Sequence, residues 1–244
     1  MTEPAAPRAP QNPPAGFEQV EAWAFDLDNT LYPSECDLFA QVDVRMTEYV
    51  ARALGLSPGE ARAVQKRYYA EHGTTLAGLM KLHDVPPDDF LDYVHDIDLA
   101  PVEPCAILRA NIAALPGRKF VFTNGSRGHA DRVLDKRGLT GLFDDVFDIT
   151  ASAYAPKPMR DAYERFVAHC GVDPRRAAMF EDIPRNLAPA AEMGFVTVLV
   201  RTGKDWSYEP EHARPAGPGE APDHVDHVTD DLTAFLGTLR AKGV

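Results

Sequence analysis

The run Ala24-Phe25-Asp26-Leu27-Asp28-Asn29-Thr30-Leu31-Tyr32 constrains this chain more than any other stretch. Apolar Val20, Ala22, Trp23, Ala24 and Phe25 lead straight into two aspartates at i and i+2. A short apolar run of this kind reads as a strand buried on both faces, as at the centre of a parallel sheet. Polar residues at its carboxyl end stand where open α/β sheets bind ligands. The spacing lets two carboxylates approach one small volume. Both cannot stay ionised there unless a cation is present, or else one holds a proton. The pattern predicts a metal site with one carboxylate as nucleophile and the other as acid/base. The same residues also read as a strand closing in an Asx-type turn, and the motif alone does not separate the two.

The rest of the chain decides between them. Leu38, Val42, Met46 and Val50 mark an amphipathic helix ending near Gly55. Ser57-Pro58-Gly59-Glu60 has the form of a capping box and opens a second helix to about Glu71. Thr75 to Leu82 and Pro86 to His95 read as two more helical pieces. Residues 36–100 are therefore expected to form an all-helical insertion between Pro33 and Pro101. Beyond it strand and helix signals alternate. Strands are expected at Lys119–Thr123, Val146–Thr150, Ala177–Glu181, Val196–Val200 and Asp226–Thr229. Helices are expected at Ala106–Leu115, Ser126–Arg137, Pro158–Cys170, Pro184–Met193 and Leu232–Leu239, with 203–222 a Pro/Gly-rich loop. Such alternation predicts an α/β fold, a doubly wound parallel (Rossmann-like) sheet core of residues 20–35 and 101–240 carrying the inserted helical cap domain.

Residues 1–19, rich in Pro and Ala, read as a disordered tail rather than a secretory leader, with the cytoplasm the expected location. No apolar run approaches the ~20 residues of a membrane span, so no membrane partner is expected. A net charge of −12 argues against nucleic-acid polymers, which need a basic face, but not against a small phosphorylated metabolite at a metal site. Cys36, Cys105 and Cys170 lie too far apart for a zinc motif. All three read as buried small hydrophobes, although Cys36 is near enough to Asp26 to reach an active-site mouth. Oligomeric state is not legible in the sequence.

Four strand ends carry polar residues of particular kinds. Asp26 and Asp28 end the first. Thr123-Asn124-Gly125-Ser126 ends the next, joining a hydroxyl to a helix amino terminus suited to an anion. Ala155-Pro156-Lys157-Pro158 holds a lysine between prolines. Glu181-Asp182 follows the fourth strand, then Pro184-Arg185-Asn186. Singly these read as caps and a solvated lysine. Jointly, in this order, they are the parts needed for phosphoryl transfer through an aspartyl-phosphate.

At this point the chain resembles the haloacid dehalogenase superfamily of phosphohydrolases over about residues 20–202. The motifs are Asp26-Leu27-Asp28-Asn29-Thr30, Thr123-Asn124, Lys157 and Glu181-Asp182 with Asn186. The resemblance implies Asp26 as nucleophile and Asp28 as acid and then base. It implies Thr123 and Lys157 on the phosphoryl oxygens. Mg²⁺ would be held by Asp26, the Asp28 backbone carbonyl and Asp182, with Glu181 in direct contact or just behind. The insertion is similar to the family's mobile cap. Asp-Leu-Asp-Asn-Thr-Leu-Tyr, with cap runs such as Tyr68-Tyr69…His72-Gly73-Thr74-Thr75-Leu76 and Phe90–Asp98, is most similar to the pyrimidine 5'-nucleotidase branch. A nucleoside 5'-monophosphate is then the expected substrate, with a sugar phosphate or phosphoglycolate as the alternative in the same fold. A non-catalytic binding protein is the rival of another class. Asn124, Arg127, Tyr32 and His95 are the expected leaving-group contacts, although His95 reads as readily as a surface histidine.

Overall fold

A computed structural model describes residues 16–204, 206 and 214–241. Its sheet has six parallel strands: β1 (Ala22–Phe25), β2 (Arg118–Phe122), β3 (Asp145–Phe147), β4 (Ala177–Glu181), β5 (Val196–Val200) and β6 (His227–Thr229), in the order β3-β2-β1-β4-β5-β6. The order reverses direction between β1 and β4, and that switch point is where such sheets open a crevice at their carboxyl ends.

Alternation along the strands divides the interior. Trp23, Phe25, Val121, Ala178 and Phe180 face one layer, with Leu108, Ile112, Val133 and Leu236. Ala22, Ala24, Phe120, Phe122 and Met179 face the other, with Tyr163, Phe166 and Leu187. The helices that cover these layers are α5 (Ala106–Ala114), α6 (Arg127–Arg137), α7 (Arg160–Cys170), α8 (Pro184–Met193) and α9 (Leu232–Ala241).

Between β1 and α5 come α1 (Leu38–Leu54), α2 (Pro58–His72), α3 (Thr75–His83) and α4 (Pro87–Val94). They share an apolar cluster of their own, including Val42, Val50, Tyr68, Leu79, Phe90 and Val94. The Ser57/Glu60 capping box is formed, and Gly55 ends α1 in the left-handed conformation. Gly78 lets α3 lie against α2, since a Cβ there would stand 2.5 Å from the Tyr68 side chain. Core residue Ile149 enters the same cluster, so the helical layer packs onto the sheet domain beyond β3. The Cys36 thiol donates to the Pro101 carbonyl (3.4 Å), joining the two chain crossings. Cys36 and Cys105 are half-buried rather than buried, and only Cys170 is enclosed as expected.

Three further expectations differ from the structure. The tail lies outside the described residues as far as 15, but Phe17 is buried and stacked on Trp23, so it anchors the otherwise exposed residues 16–19 to the core. β3 stops at Phe147 rather than Thr150, because Asp148 accepts from the Arg127 and Ala151 amides and turns the chain. α7 begins at Arg160 rather than Pro158, the preceding residues being held at the site. Among the described residues no helix is long and apolar enough to cross a membrane.

Candidate active site

Asp26 follows β1 directly, and its amide still donates to the Phe180 carbonyl (2.9 Å), which extends the sheet register into the site. Asn29 then takes a left-handed conformation (φ 59°), one that Asn tolerates, and turns the chain back on itself. Glu181 and Asp182 close β4 beside Asp26. Oxygens of the three carboxylates lie within 4.8 Å of one another, all buried. Burial, then the neighbouring Glu181 carboxylate, push the Asp26 carboxyl up to about 8 against the pull of Lys157. The same two causes raise Asp182 well above its ordinary value. Asp182 Oδ2 is buried with no hydrogen-bond partner. An all-oxygen cluster that repels itself and leaves an oxygen unsatisfied fits a hard divalent cation.

Lys157 is buried between these groups. Its ammonium donates to Asp26 Oδ1 (2.6 Å), Glu181 Oε2 (2.6 Å) and the Phe122 carbonyl (2.8 Å). That occupies its three protons, so to reach a phosphoryl oxygen it must exchange one acceptor for another. Burial alone would lower its proton affinity, but the two carboxylates outweigh that and raise it. Thr123 ends β2 alongside, its hydroxyl accepting from the Gly125 amide (2.9 Å).

Asp28 has a different environment. Its Oδ1 accepts from the Tyr32 hydroxyl (2.7 Å) and from His129 Nε2 (3.0 Å). Burial pushes this carboxyl up, but the His129 charge and hydrogen bond, then Tyr32, outweigh it and hold the group at about 2. The side chain is turned away from the carboxylate cluster, which leaves only its backbone available to a metal there.

Asp26, Asp28, Thr123, Lys157, Glu181 and Asp182 line one cavity of about 90 Å³, together with Phe39 and Tyr69 from the helical layer. A second cavity of about 140 Å³ adjoins it and shares Phe39, Tyr69, Asn124 and Pro215. Its wall is mostly apolar and aromatic, with Met46, Leu76, Phe90, Val94 and Trp206. Asp43, Gln65 and Lys66 add a polar cluster to one side and bond to one another (Gln65 to Asp43 2.7 Å, Lys66 to Asp43 2.9 Å).

The four expected leaving-group contacts fare differently. Asn124 lines both cavities, but its carboxamide bonds the Lys157 backbone twice (2.8 and 3.1 Å) and so places the lysine. Arg127 lines neither cavity: its side chain is over half exposed and ion-paired with Asp131 (3.2 Å) and Asp145 (3.0 Å). Tyr32 is buried beneath Asp28 rather than facing a leaving group. His95 is no surface histidine. It is buried, stacked on His129 (centroids 4.4 Å apart) and bordering the larger cavity. Burial and the adjacent His129 charge push it down to about 3.

Sequence reasoning did not single out His129, Phe39 or Trp206. His129 lies three residues after Ser126, in the first turn of a helix that starts at a strand end, and that position was the available signal. Arg185, whose guanidinium lies 4.9 Å from the Tyr69 ring centre, ties the core to α2 behind the cavity wall.

Known proteins resemble this chain in sequence or in fold. "Phosphate metabolism protein 8" of Saccharomyces cerevisiae is 27% identical over 224 residues, 84% of this chain and 68% of that protein. A solved HAD phosphatase from Thermococcus onnurineus superposes with TM-score 0.57 at 18% identity, over 91% of this chain and 97% of its own. A HAD family hydrolase from Deinococcus radiodurans R1, solved with bound phosphate and sodium, gives 0.51 at 25% identity, covering 92% and 96%. The sequence pattern of haloacid dehalogenase-like hydrolases matches residues 20–194, and a related HAD-hydrolase-like pattern matches 154–235. The first of these spans most of the chain, which therefore belongs to the haloacid dehalogenase-like hydrolase family.

Proposed function

We propose that this chain is a Mg²⁺-dependent phosphomonoesterase that works through an aspartyl-phosphate on Asp26, and that its substrate is a nucleoside 5'-monophosphate, pyrimidine rather than purine. The observation that carries the reading is the meeting of Asp26, Asp28, Thr123 and Lys157 with Glu181 and Asp182 in one cavity that adjoins an aromatic one. Mg²⁺ at Asp26, Asp182, the Asp28 carbonyl and Glu181 would neutralise charge on the transferring phosphoryl group.

The chain's own residues account for the remaining steps. An Asp26 oxygen attacks phosphorus, and the bond from phosphorus to the leaving oxygen breaks. Thr123 and Lys157 hold the equatorial oxygens, Lys157 after giving up one carboxylate. Asp28 passes a proton to the leaving alkoxide. A phosphate dianion beside it raises its proton affinity above the resting value, as any like charge does. Asp28 then takes a proton from water, whose oxygen attacks phosphorus and frees Asp26. The leaving group would occupy the cavity walled by Phe39, Tyr69, Phe90 and Trp206, whose aromatic faces suit a flat base.

The phosphate bound by the Deinococcus radiodurans hydrolase supports the reaction class. The deciding assay is initial rates with Mg²⁺ on UMP, CMP, AMP, phosphoglycolate, a sugar phosphate and p-nitrophenyl phosphate. We expect UMP or CMP to give the highest kcat/KM. A preference for phosphoglycolate or the sugar phosphate would overturn the nucleotide assignment. Absence of turnover on all six would overturn the phosphatase reading.

A further inference from the structure

Both hydrogen bonds to the Asp28 carboxylate fall on the same oxygen. Tyr32 and His129 approach Oδ1 from opposite parts of the chain, one four residues on in the β1 loop and the other from the first turn of α6. Asp28 itself lines the catalytic cavity. With Oδ1 held twice, Oδ2 is the oxygen left to meet a leaving group or a water.

His129 is itself closely fixed. It is 1% exposed. Its ring lies flat against that of His95, with 12° between planes. His95 ends the last cap helix and is held from α6 by two groups: Ser126 Oγ, at the helix cap, on its Nδ1 (3.0 Å), and Arg132, midway along, whose guanidinium donates to its carbonyl (2.6 Å). Gly125 lies against the pair, within ordinary contact distance of both rings. His129 Nδ1 is buried with no hydrogen-bond partner. The only hydrogen bond of this buried ring is therefore the one to Asp28, a costly arrangement for a residue that serves packing alone.

We infer that His129 is a positioning residue: with Tyr32 it clamps Asp28 Oδ1, so that Oδ2 alone carries the proton to the leaving oxygen and later takes one from water. His95, brought by the cap, backs the clamp by stacking. The inference rests on the aspartyl-phosphate reading above and adds which oxygen acts and what aims it.

The two chemical steps give it a test. Loss of an alkoxide needs a proton, whereas p-nitrophenolate leaves without one. Hydrolysis of the phosphoenzyme needs the base whatever the substrate was. His129→Phe keeps a ring against His95 and removes the bond to Asp28. His129→Gln keeps a donor, and Tyr32→Phe removes the other bond. Each variant would be studied by stopped flow with Mg²⁺ on p-nitrophenyl phosphate and UMP, beside thermal melts. We expect His129→Phe to lower steady-state kcat ~100-fold on both substrates. It should release about one equivalent of p-nitrophenolate in a fast burst and show no burst of uridine. His129→Gln should recover at least about tenfold of that loss, and Tyr32→Phe should show the same burst in weaker form. Wild-type kcat in folded His129→Phe would overturn the inference, as would a loss confined to KM or a loss on p-nitrophenyl phosphate without a burst. If His129→Phe does not fold, Tyr32→Phe decides by the same burst. An inert wild-type enzyme would instead remove the underlying reading, so the two failures are distinct.

Discussion

The strand ends and the cavity beneath the helical layer are neighbours built on opposite principles. At the strand ends the groups that hold the site together are committed: Lys157 has three acceptors, Asp28 Oδ1 two donors, and Asn124 is spent on backbone, while Asp182 Oδ2 and Asp28 Oδ2 stay open. The adjoining cavity has a largely apolar wall, with one polar cluster, Asp43, Gln65 and Lys66, that is bonded within itself. A committed network permits one geometry and so one kind of chemistry. An apolar wall permits many occupants and separates them by shape. The catalytic step should therefore depend steeply on single atoms of the core, and substrate choice shallowly on the volume of cap residues.

The steepest dependence is expected at Asp26. Asp26→Asn keeps size and removes the attacking oxygen, so turnover should fall by several orders of magnitude while the fold survives. Retention of a tenth of wild-type kcat, measured in protein free of host phosphatase, would break the comparison at its strongest point.

Metal removal comes next. EDTA should abolish activity and Mg²⁺ restore it. Stability should follow. Asp26 titrates at about 8 in the fold against an ordinary 3.8, and Asp182 is raised as well, so the metal-free fold binds protons that the unfolded chain releases. Their contribution is complete below about pH 4 and is lost as pH rises toward 8. Asp28, depressed to about 2, has the opposite sign but acts below that window. The Tm in EDTA should accordingly decline from pH 5 to 8, and the Tm increment from Mg²⁺ should grow over the same range. A flat increment would show that the three carboxylates do not form the cation site.

Cap substitutions should act more mildly. Met46→Ala and Phe90→Ala enlarge the aromatic cavity at residues that do not line the cavity at the strand ends. An apolar contact is worth ~1–3 kcal/mol in discrimination, so the ratio of kcat/KM between UMP and p-nitrophenyl phosphate should shift by about tenfold or more. A uniform loss across substrates would reduce the helical layer to a lid that only excludes water.

The sequence showed one of these regions far better than the other. Asp26, Thr123, Lys157 and Glu181-Asp182 were legible because each follows a short apolar run or a rigid turn, and strand ends on a parallel sheet converge. Side-chain direction beyond the strand ends was not legible. Tyr32 looked available to a leaving group, but the left-handed turn at Asn29 folds it back under Asp28. His95 looked exposable and is covered by stacking on a ring 34 residues later, a contact that leaves no local pattern. His129 carried no signal except its place in a helix's first turn. The break between the layer's first two helices followed from caps at Gly55 and Ser57, whereas its cavity depends on how four helices meet a sheet.

The smallest expected effect is at Arg127, and it sharpens the contrast because charge beside the Thr123-Asn124 motif is what made this residue a candidate. Its guanidinium is spent on Asp131 one turn along α6 and on Asp145 at the start of β3. Neither carboxylate lines either cavity. Both pairs are substantially exposed, so solvent screens them and each is worth about 0.5 kcal/mol at most. The Arg127 amide still donates to Asp148 (2.9 Å), a bond that any residue except proline would keep. Arg127→Ala should therefore lower Tm by no more than a few degrees and leave kcat and KM for UMP within about twofold. The measurement is a melt and a saturation curve against wild type. A tenfold rise in KM for UMP, with p-nitrophenyl phosphate unaffected, would mean that the side chain swings into the site when substrate binds. Part of the selectivity would then lie in the core, and the division between committed strand ends and permissive cap would fail at this residue.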